Sequence, residues 1–250
     1  SKAWTELLGS LALFGAALTL SGLIAWLILE RMVLGSVRRL RDAAVATARG
    51  EKTSRVEIAD GPVELQQLAD AFNEMTDKLE FQALHDQLTG LGNRRYIQNR
   101  LTQILADGKP FALLAIDLDG FKPINDTYGH GVGDFVLAET AARLTDGLGD
   151  GLFIGRTGGD EFLAAILVDG GDQAEIASAT ARRMLDQLAR PITLADDTQV
   201  TIGGRVGIAF WPSNGATAEA VVREAALALY SAKTSGRIRD VVPAETRHPL

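Results

Sequence analysis

The feature that most constrains this chain is an uncharged run near its N-terminus. Leu7–Leu29 contains 23 residues without an acidic or basic side chain. As a helix rising about 1.5 Å per residue, the run would be roughly 34 Å long, which is enough to cross a bilayer core of about 30 Å. Trp4 and Trp26 lie near its two ends, where amphipathic rings favour the lipid headgroups. The run predicts a transmembrane helix within residues 1–30; a signal peptide and a buried core helix are the alternatives.

The basic residues around the run predict its orientation. Lys2 is the basic residue ahead of it. Those that follow it are Arg31, Arg38, Arg39, Arg41, Arg49, Lys52 and Arg55. Because cytoplasmic flanks carry the excess of Lys and Arg, we expect a single-pass protein of the inner (cytoplasmic) membrane with the remaining chain in the cytoplasm.

Residues 31–82 contain two amphipathic helical patterns around a polar connector, 50–62, that includes Gly61-Pro62. The apolar positions repeat at alternating spacings of three and four: Val37, Leu40, Ala44 and Thr47, then Leu65, Leu68, Phe72, Met75 and Leu79. Such seams pack against partner helices, and a parallel homodimer forming a four-helix bundle would bury both. The stretch resembles a HAMP signal-relay domain, although Ser36 stands where that family usually has proline. A generic juxtamembrane coiled coil is the alternative, and it predicts the same dimer.

After about residue 81 the pattern becomes a mixture of strands and helices. Phe111–Leu118 is a continuous apolar run ending in acid, which predicts a buried central strand. Further strands are predicted over 152–156, 161–168 and 200–210, the last with a bulge at Gly203-Gly204, and helices over 133–146, 172–188 and 217–234. The first two of these strands flank Thr157–Asp160, whose glycines are typical of a tight hairpin turn. We expect an α+β fold with a mixed, palm-like sheet of the ferredoxin type, flanked by helices.

Four acidic residues mark these elements: Asp117 stands at the C-terminal end of the buried strand, Asp119 follows two residues later, and Asp160 and Glu161 lie at the hairpin turn. If the hairpin pairs beside the strand, they meet at one sheet edge. Clustered carboxylates suit Mg²⁺, which binds few protein ligands together with substrate phosphates. Each acid alone could instead be a solvated turn residue. The net charge of −7 argues against a nucleic-acid-coating protein, and the absence of cysteine excludes thiolate sites and cysteine catalysis.

Four motifs then occur in order across residues 83–240. They are DQLTGLGNRR at 86–95, DLDGFK at 117–122 with the block through Asp134, GGDEF at 158–162, and ALYSAK at 228–233 with Gly236-Arg237. Together they resemble the GGDEF family of diguanylate cyclases, which implies a palm-like sheet akin to that of adenylyl cyclases. The resemblance implies that two GTP molecules, each held by one copy of a homodimer, are joined into cyclic di-GMP with release of pyrophosphate.

The resemblance also implies residue roles. Mg²⁺, or Mn²⁺, would be held by Asp117, the Leu118 carbonyl, Asp160 and Glu161. Catalysis would involve Asp160, Glu161 and Lys122, with Glu161 as a further ligand or as a group that helps deprotonate the attacking hydroxyl. The substrate would be bound by Gly120, Phe121, Lys122, Asn125, Asp134, Gly158, Gly159, Lys233 and Arg237. Asn125 and Asp134 would bind guanine, whereas Lys122, Lys233 and Arg237 would meet phosphates.

Three departures from the family pattern keep a second interpretation open. The RxxD window of product inhibition reads Gly149-Asp150-Gly151-Leu152, a usual serine is Arg205, and a usual aspartate is Ala226. The first predicts that product feedback through that site is absent. The other two leave open a catalytically silent, GTP-binding module that regulates a partner or a fused EAL phosphodiesterase domain. Residues 241–250 are polar and contain proline, as expected of a C-terminal tail or linker.

Overall fold

The computed structural model describes residues 2–49, 55–59, 61–148, 153–168, 172–234 and 241–244. The chain divides into two compact units, 1–81 and 82–250.

The first unit begins with the apolar helix. α1 spans Lys2–Leu29, and a π-helical stretch, Glu30–Leu34, leads from it into α2, Gly35–Ala48. The helical run from Gly9 contains an 18-residue window with a mean hydropathy of 2.1. Its described large apolar side chains are exposed, including Trp26 at 58%. By length and composition, the first unit therefore holds one helix that could cross a membrane.

The second part of this unit is a helix–connector–helix arrangement completed by α3, Val63–Leu84. Val56 and Ile58 of the connector are buried with Ala43 of α2 and Ala69 of α3. The Asn73 side chain fixes the connector, because it accepts from the Val56 N–H and donates to the Val56 carbonyl, both at 3.0 Å. Within 55–59, the described part of the connector, Val56 and Ile58 thus belong to the packed core of this unit.

The two predicted seams are only partly covered within one chain. Leu40, Leu65 and Phe72 are half-buried against the connector. The seam positions that remain exposed include Val37, Leu68, Met75 and Leu79, with between 45% and 51% of each residue accessible. Each of the two seams expected from the sequence is thus divided into a part that packs with the connector and a part that is open.

The second unit contains α4 to α8 and β1 to β7. The helices are α4 (Arg94–Asp107), α5 (Phe121–Tyr128), α6 (His130–Leu148), α7 (Gln173–Leu188) and α8 (Ala218–Thr234). The strands are β1 (Phe111–Asp119), β2 (Phe153–Gly158), β3 (Glu161–Leu167), β4 (Ile192–Thr193), β5 (Gln199–Val200), β6 (Gly203–Trp211) and β7 (Val241–Pro243). Five strands form one sheet in the order β2-β3-β1-β6-β7, antiparallel except for the parallel β6–β7 pair. The predicted α+β fold with a mixed sheet is confirmed.

β1 is central because both of its faces are covered. Alternate side chains point to opposite faces of a strand. Leu114 and Ile116 belong to the core shared with α6 and α7, whereas Leu113 and Ala115 pack with α4 and α8. This alternation explains why the sequence of β1 is apolar without interruption from Phe111 to Ile116. It also assigns Asp117 to the face that bears α8.

The strand predicted over 200–210 differs from the observed one. Val200 pairs with Ile192 in a separate two-stranded ribbon, and β6 begins at Gly203. The register of β6 against β1 runs unbroken from Gly203 to Trp211, so the bulge predicted at Gly203-Gly204 was wrong. Close packing explains the glycine: a Cβ at position 204 would lie 3.2 Å from both the Asp117 carbonyl oxygen and a Leu185 methyl carbon.

The beginning of the predicted tail adds an edge strand. Val241–Pro243 forms β7, which runs parallel to β6 with Val206 opposite Val241. The Ala244 N–H donates to the Ile208 carbonyl at 2.6 Å. The sheet therefore extends at least to Pro243, three residues past the boundary expected at 240.

Candidate active site

The acidic residues expected to meet do lie at one edge of the sheet. Asp117 pairs with Glu161 of β3 on one side and with Arg205 of β6 on the other. The Leu118 N–H donates to the Asp160 carbonyl at 3.3 Å, which ties β1 to the hairpin turn. Asp117 is only 8% exposed. Antiparallel pairing thus brings acids 43 and 44 positions apart in sequence to the same edge.

The hairpin that carries Asp160 depends on glycine. Gly158 has a φ of 146° and Gly159 a φ of 54°, values that side chains with a Cβ rarely adopt. Gly158 pairs with Glu161, so Gly159 and Asp160 form the two-residue connection. The turn predicted over Thr157–Asp160 lies at this place. Its geometry presents Asp160 and Glu161 directly beside the end of β1.

Two cations pair with the carboxylates at the end of β1. Lys233 Nζ of α8 lies 2.8 Å from Asp117 Oδ1, and an Arg205 guanidinium nitrogen lies 2.7 Å from Asp119 Oδ1. Among the described residues, Asp119 Oδ2 and Arg205 Nε are buried and have no hydrogen-bond partner. The site therefore combines opposite charges with unused polar atoms.

The pKa of Asp119 reports how closely these charges interact. Burial raises it above its ordinary value, and the carboxylates of Asp117 and Asp160 raise it further. The cations of Arg205 and Lys233 oppose this effect, but the net direction is upward. Mutual repulsion among acids is the property that a bound cation would relieve.

The donor set fits a metal that is brought together with a substrate. Among the described residues, no three acidic or histidine side chains are grouped closely enough to enclose an ion by themselves. Mg²⁺ commonly takes one or two protein carboxylates and completes its shell with water and phosphate oxygens. Asp117 at the strand end and Asp160 at the turn provide oxygen donors of this kind, and the unpaired Oδ2 of Asp119 lies near them.

A short turn next to the acids begins α5. Gly120 has a φ of 85° and precedes Phe121, and its position lacks a side-chain cap for the first amides of the helix. Uncapped N–H groups at a helix start favour anions. Lys122, in the same first turn, is exposed. The segment 120–122 thus places backbone donors and one cation close to the end of β1.

Asn125 and Asp134 are brought together by the close approach of α5 and α6. A Cβ added at Gly133 would lie 1.7 Å from Asn125 Oδ1, so the Asn125 side chain occupies the space that Gly133 leaves empty. Asp134 is the next residue and is exposed. The two predicted guanine ligands are therefore neighbours across the α5–α6 contact.

This contact predicts a selective effect of Gly133→Ala. The added methyl group must displace the Asn125 amide, because the two cannot occupy the same volume. We expect GTP affinity to fall by about tenfold or more, the scale of one lost polar contact to a base. Titration with GTP and ATP measures it, and Gly131→Ala, which meets nothing within 4 Å, is the matched control. Unchanged discrimination between GTP and ATP would contradict the Asn125 assignment.

Arg156 is a residue of this site that the sequence did not single out. Its guanidinium donates to Asp86 Oδ1 at 3.0 Å and to the Gly159 carbonyl at 2.9 Å. Asp86 also accepts from the N–H and the hydroxyl of Thr89. The first motif therefore holds the hairpin turn. In the sequence Arg156 is a single basic residue two positions before Gly158. No sequence pattern indicates that it pairs with Asp86, which lies 70 positions earlier.

The Asp86–Arg156 pair predicts a pH-dependent contribution to stability. Burial alone would raise the pKa of Asp86, but hydrogen bonds from Thr89 and Arg156 lower it by more. A carboxyl whose pKa is lowered by folding stabilises the fold above its unfolded value of 3.8, and this contribution is lost as the pH falls through the folded pKa. We expect Asp86→Asn to lower the free energy of unfolding by about 2 kcal/mol at neutral pH.

Urea unfolding of the full chain in detergent, followed by near-ultraviolet circular dichroism, measures this difference. The gap between Asp86→Asn and the parent chain should close in acid. Asp107→Asn, which changes an exposed carboxylate at the end of α4, is the matched control and should be neutral. A gap that stays constant down to strongly acidic pH would contradict the role of the Asp86 charge.

Two of the sequence predictions, Arg237 and the window 149–152, lie outside the described residues.

A cavity of about 470 Å³ lies between α4 and α8, and its lining includes Thr157 and Glu161. The described residues that line it do not include Lys122, Asn125, Asp134 or Lys233, so this cavity is not the expected nucleotide site.

Comparison with family models matches both parts of the chain. Residues 83–239 match the model described as diguanylate cyclase, GGDEF domain. Residues 28–81 match the model of the HAMP domain. The two matches coincide with the motifs and with the helix–connector–helix arrangement.

Individual relatives agree with these matches. Diguanylate cyclase TpbB of Pseudomonas aeruginosa is 35% identical over 243 residues, which are 88% of this chain and 55% of that protein. An uncharacterised signalling protein of Caulobacter vibrioides is 42% identical over 165 residues, covering 64% of this chain and 20% of that protein. This chain thus spans little more than half of TpbB and a fifth of the Caulobacter protein.

A solved structure gives the corresponding fold. The GGDEF domain of PA1120 (TpbB or YfiN) from Pseudomonas aeruginosa superposes with a TM-score of 0.60 at 36% identity, covering 65% of this chain and 95% of that one. Its match covers most of the second unit and agrees with the sheet described above. The chain belongs to the GGDEF family of diguanylate cyclases and carries a HAMP domain ahead of its GGDEF domain.

Proposed function

We propose that this chain is a membrane-anchored diguanylate cyclase that converts two GTP molecules into cyclic di-GMP and two pyrophosphates. The observation that carries the proposal is the meeting of Asp117, Asp160 and Glu161 at one sheet edge, with Lys233 2.8 Å from Asp117. The similarity to TpbB, which bears the name diguanylate cyclase, supports the same reaction.

Each copy of the chain binds one GTP. Asn125 and Asp134 recognise the guanine edge, because a carboxylate accepts from both N1–H and the exocyclic amine, which adenine does not present together. Lys122, Lys233 and Arg237 neutralise the phosphates, and the N–H groups of Gly120–Lys122 donate to them. Gly158 and Gly159 let the nucleotide approach the hairpin backbone closely.

Mg²⁺ or Mn²⁺ fits beside these groups. Asp117, Asp160, Glu161 and the Leu118 carbonyl would hold the ion together with the GTP phosphates. When bound, the metal supplies positive charge that offsets the charge developing on the phosphate oxygens. The Lys233 ammonium would then leave Asp117 and pair with a phosphate, because the metal ion and the ammonium compete for the same Asp117 carboxylate oxygen.

The reaction proceeds in two equivalent steps. The 3′-oxygen of one GTP attacks the α-phosphorus of the other, the bond to the β-phosphate oxygen breaks, and pyrophosphate leaves. The Glu161 carboxylate, as the alternative to its role as a further metal ligand, accepts the hydroxyl proton. Repetition in the opposite direction closes the ring. Because each domain holds one GTP, two copies must face each other.

The first unit anchors the chain in the membrane and brings it together with a second copy. We propose that α1 crosses the inner membrane and that the open seam positions Val37, Leu68, Met75 and Leu79 pair with those of a second chain. Burial of these exposed apolar side chains favours a parallel dimer. A change in bundle packing, carried along α3 toward Leu84, would then alter how two GGDEF domains meet.

A second candidate function is favoured by one observation. The ion pair of Arg205 with Asp119 neutralises an acid beside the proposed metal ligands. A site weakened in this way would bind GTP without turnover and regulate a partner or an EAL domain. The two candidates differ in whether bound GTP is consumed.

The test uses the full chain in detergent or lipid nanodiscs with GTP and Mg²⁺. A cyclase forms cyclic di-GMP, loses this activity in EDTA, and does not convert ATP. Asp160→Asn should abolish product formation, and a variant that retained it would exclude Asp160 from the metal site. GTP binding without product would favour the silent module, and no binding would reject both.

A further inference from the structure

The two cations of the carboxylate cluster differ in their freedom to move. Lys233 stands in the last turn of α8, and 37% of its side chain is exposed. Its flexible stem can carry the ammonium away from Asp117 when another cation arrives. The pair it forms is therefore replaceable.

Arg205 is held in place. It lies on β6, next to the central strand, and its position is fixed by pairing with Asp117. Its side chain is 21% exposed, its Nε is buried, and the buried Asp119 Oδ2 beside it has no partner among the described residues. The guanidinium therefore has less room to move away from Asp119 than the Lys233 ammonium has to move away from Asp117. It cannot leave the cluster as Lys233 can.

Resting on the proposed function, we propose that Arg205 is a positioning residue that keeps Asp119 out of the metal shell. Its charge thereby lowers the affinity of the nucleotide-free site for divalent metal. Two observations support this proposal. The Arg205 guanidinium lies 2.7 Å from Asp119 Oδ1, and Arg205 is the cross-strand partner of Asp117. Metal then binds well only when the GTP phosphates add their own negative charge. The site is thereby loaded by the metal–nucleotide complex rather than by free metal.

Removal of the Arg205 charge should raise the affinity of the site for divalent metal. In Arg205→Met the stem remains but Asp119 loses its counter-charge, so an additional carboxylate becomes available. We expect the dissociation constant for Mn²⁺ without nucleotide to fall by about tenfold, as an additional charge a few ångströms away implies. Arg205→Lys keeps the charge and should stay within about twofold of the parent chain. Arg205→Met combined with Asp119→Asn removes both charges and should lose the gain.

The experiment is a titration of the full chain in detergent with Mn²⁺ alone, followed by electron paramagnetic resonance at about pH 8, where ordinary carboxyls are ionised. Arg182→Met, at an exposed position of α7, is the matched control for loss of one positive charge. Equal Mn²⁺ affinity in the parent chain and Arg205→Met would overturn the proposal, as would an equal gain in Arg182→Met. No Mn²⁺ binding without nucleotide in any variant, Arg205→Met included, would also overturn the proposal, whereas the proposed function is tested separately by the assay with GTP and Mg²⁺. Turnover is not needed for any of these readouts.

Discussion

Asp117→Asn is expected to lower the rate of cyclic di-GMP formation by on the order of a thousandfold, equivalent to about 4 kcal/mol of transition-state stabilisation. Asp117 lies at the end of the central strand, pairs with Glu161 across the sheet and contacts Lys233. The amide keeps the shape of the side chain but removes the negative charge that attracts a metal. Because guanine recognition involves other residues, GTP affinity in EDTA should change little.

The control for this prediction is Asp146→Asn, an equal change of charge at an exposed position of α6. Its rate should match that of the parent chain. Product formation is followed by liquid chromatography at saturating GTP and several Mg²⁺ concentrations. If Asp117→Asn turned over within about tenfold of the parent chain, Asp117 would not hold the metal, since loss of a ligand affects the rate far more than this.

Gly207→Val should be the most destabilising single substitution of those considered, by about 4 kcal/mol or more. A Cβ at this position would lie 2.1 Å from the Leu229 backbone nitrogen and 2.3 Å from the Ala225 carbonyl oxygen. Backbone atoms cannot turn aside as a side chain can, so α8 would have to move away from β6. Because stable domains have only about 5–15 kcal/mol in total, much of the folded population would be lost.

Chemical unfolding of the full chain in detergent measures this effect, with Gly131→Ala as the control. Gly131 lies in α6 with nothing within 4 Å of an added Cβ, so its substitution should be neutral or slightly stabilising. Since α8 carries Lys233, any Gly207→Val protein that does fold should also have impaired phosphate binding. An unfolding midpoint equal to that of the parent chain would contradict the close packing of α8 on β6.

The parts of the fold that the sequence predicted are those with a strong local signal. β1 could be recognised because its sequence is apolar from Phe111 to Ile116, and eight consecutive residues of the strand are indeed buried. The acidic residues at its end indicated the site. The hairpin followed from the two glycines, whose positive φ angles are observed. Pairing of β1 with β3 then brings Asp117 opposite Glu161 without further assumptions.

What could not be predicted depends on contacts between distant residues. Arg156 meets Asp86 across 70 positions, and Arg205 meets Asp119 through strand register. The break between β5 and β6 was missed because 200–210 is rich in β-branched and other apolar residues and contains no proline. Gly204, interpreted as a bulge, instead allows close packing against Leu185 and the backbone of Asp117. Periodicity indicates which face is buried but not what lies against it.

The most direct test of the central claim is to measure both products of the reaction with GTP and Mg²⁺. The full chain in lipid nanodiscs should release two pyrophosphates for every cyclic di-GMP formed, as the proposed condensation requires. With 3′-deoxy-GTP as the sole nucleotide, neither product should appear, because the attacking oxygen is missing. Cyclic di-GMP and pyrophosphate in this ratio would support the cyclase. Stable GTP binding without pyrophosphate release would contradict it.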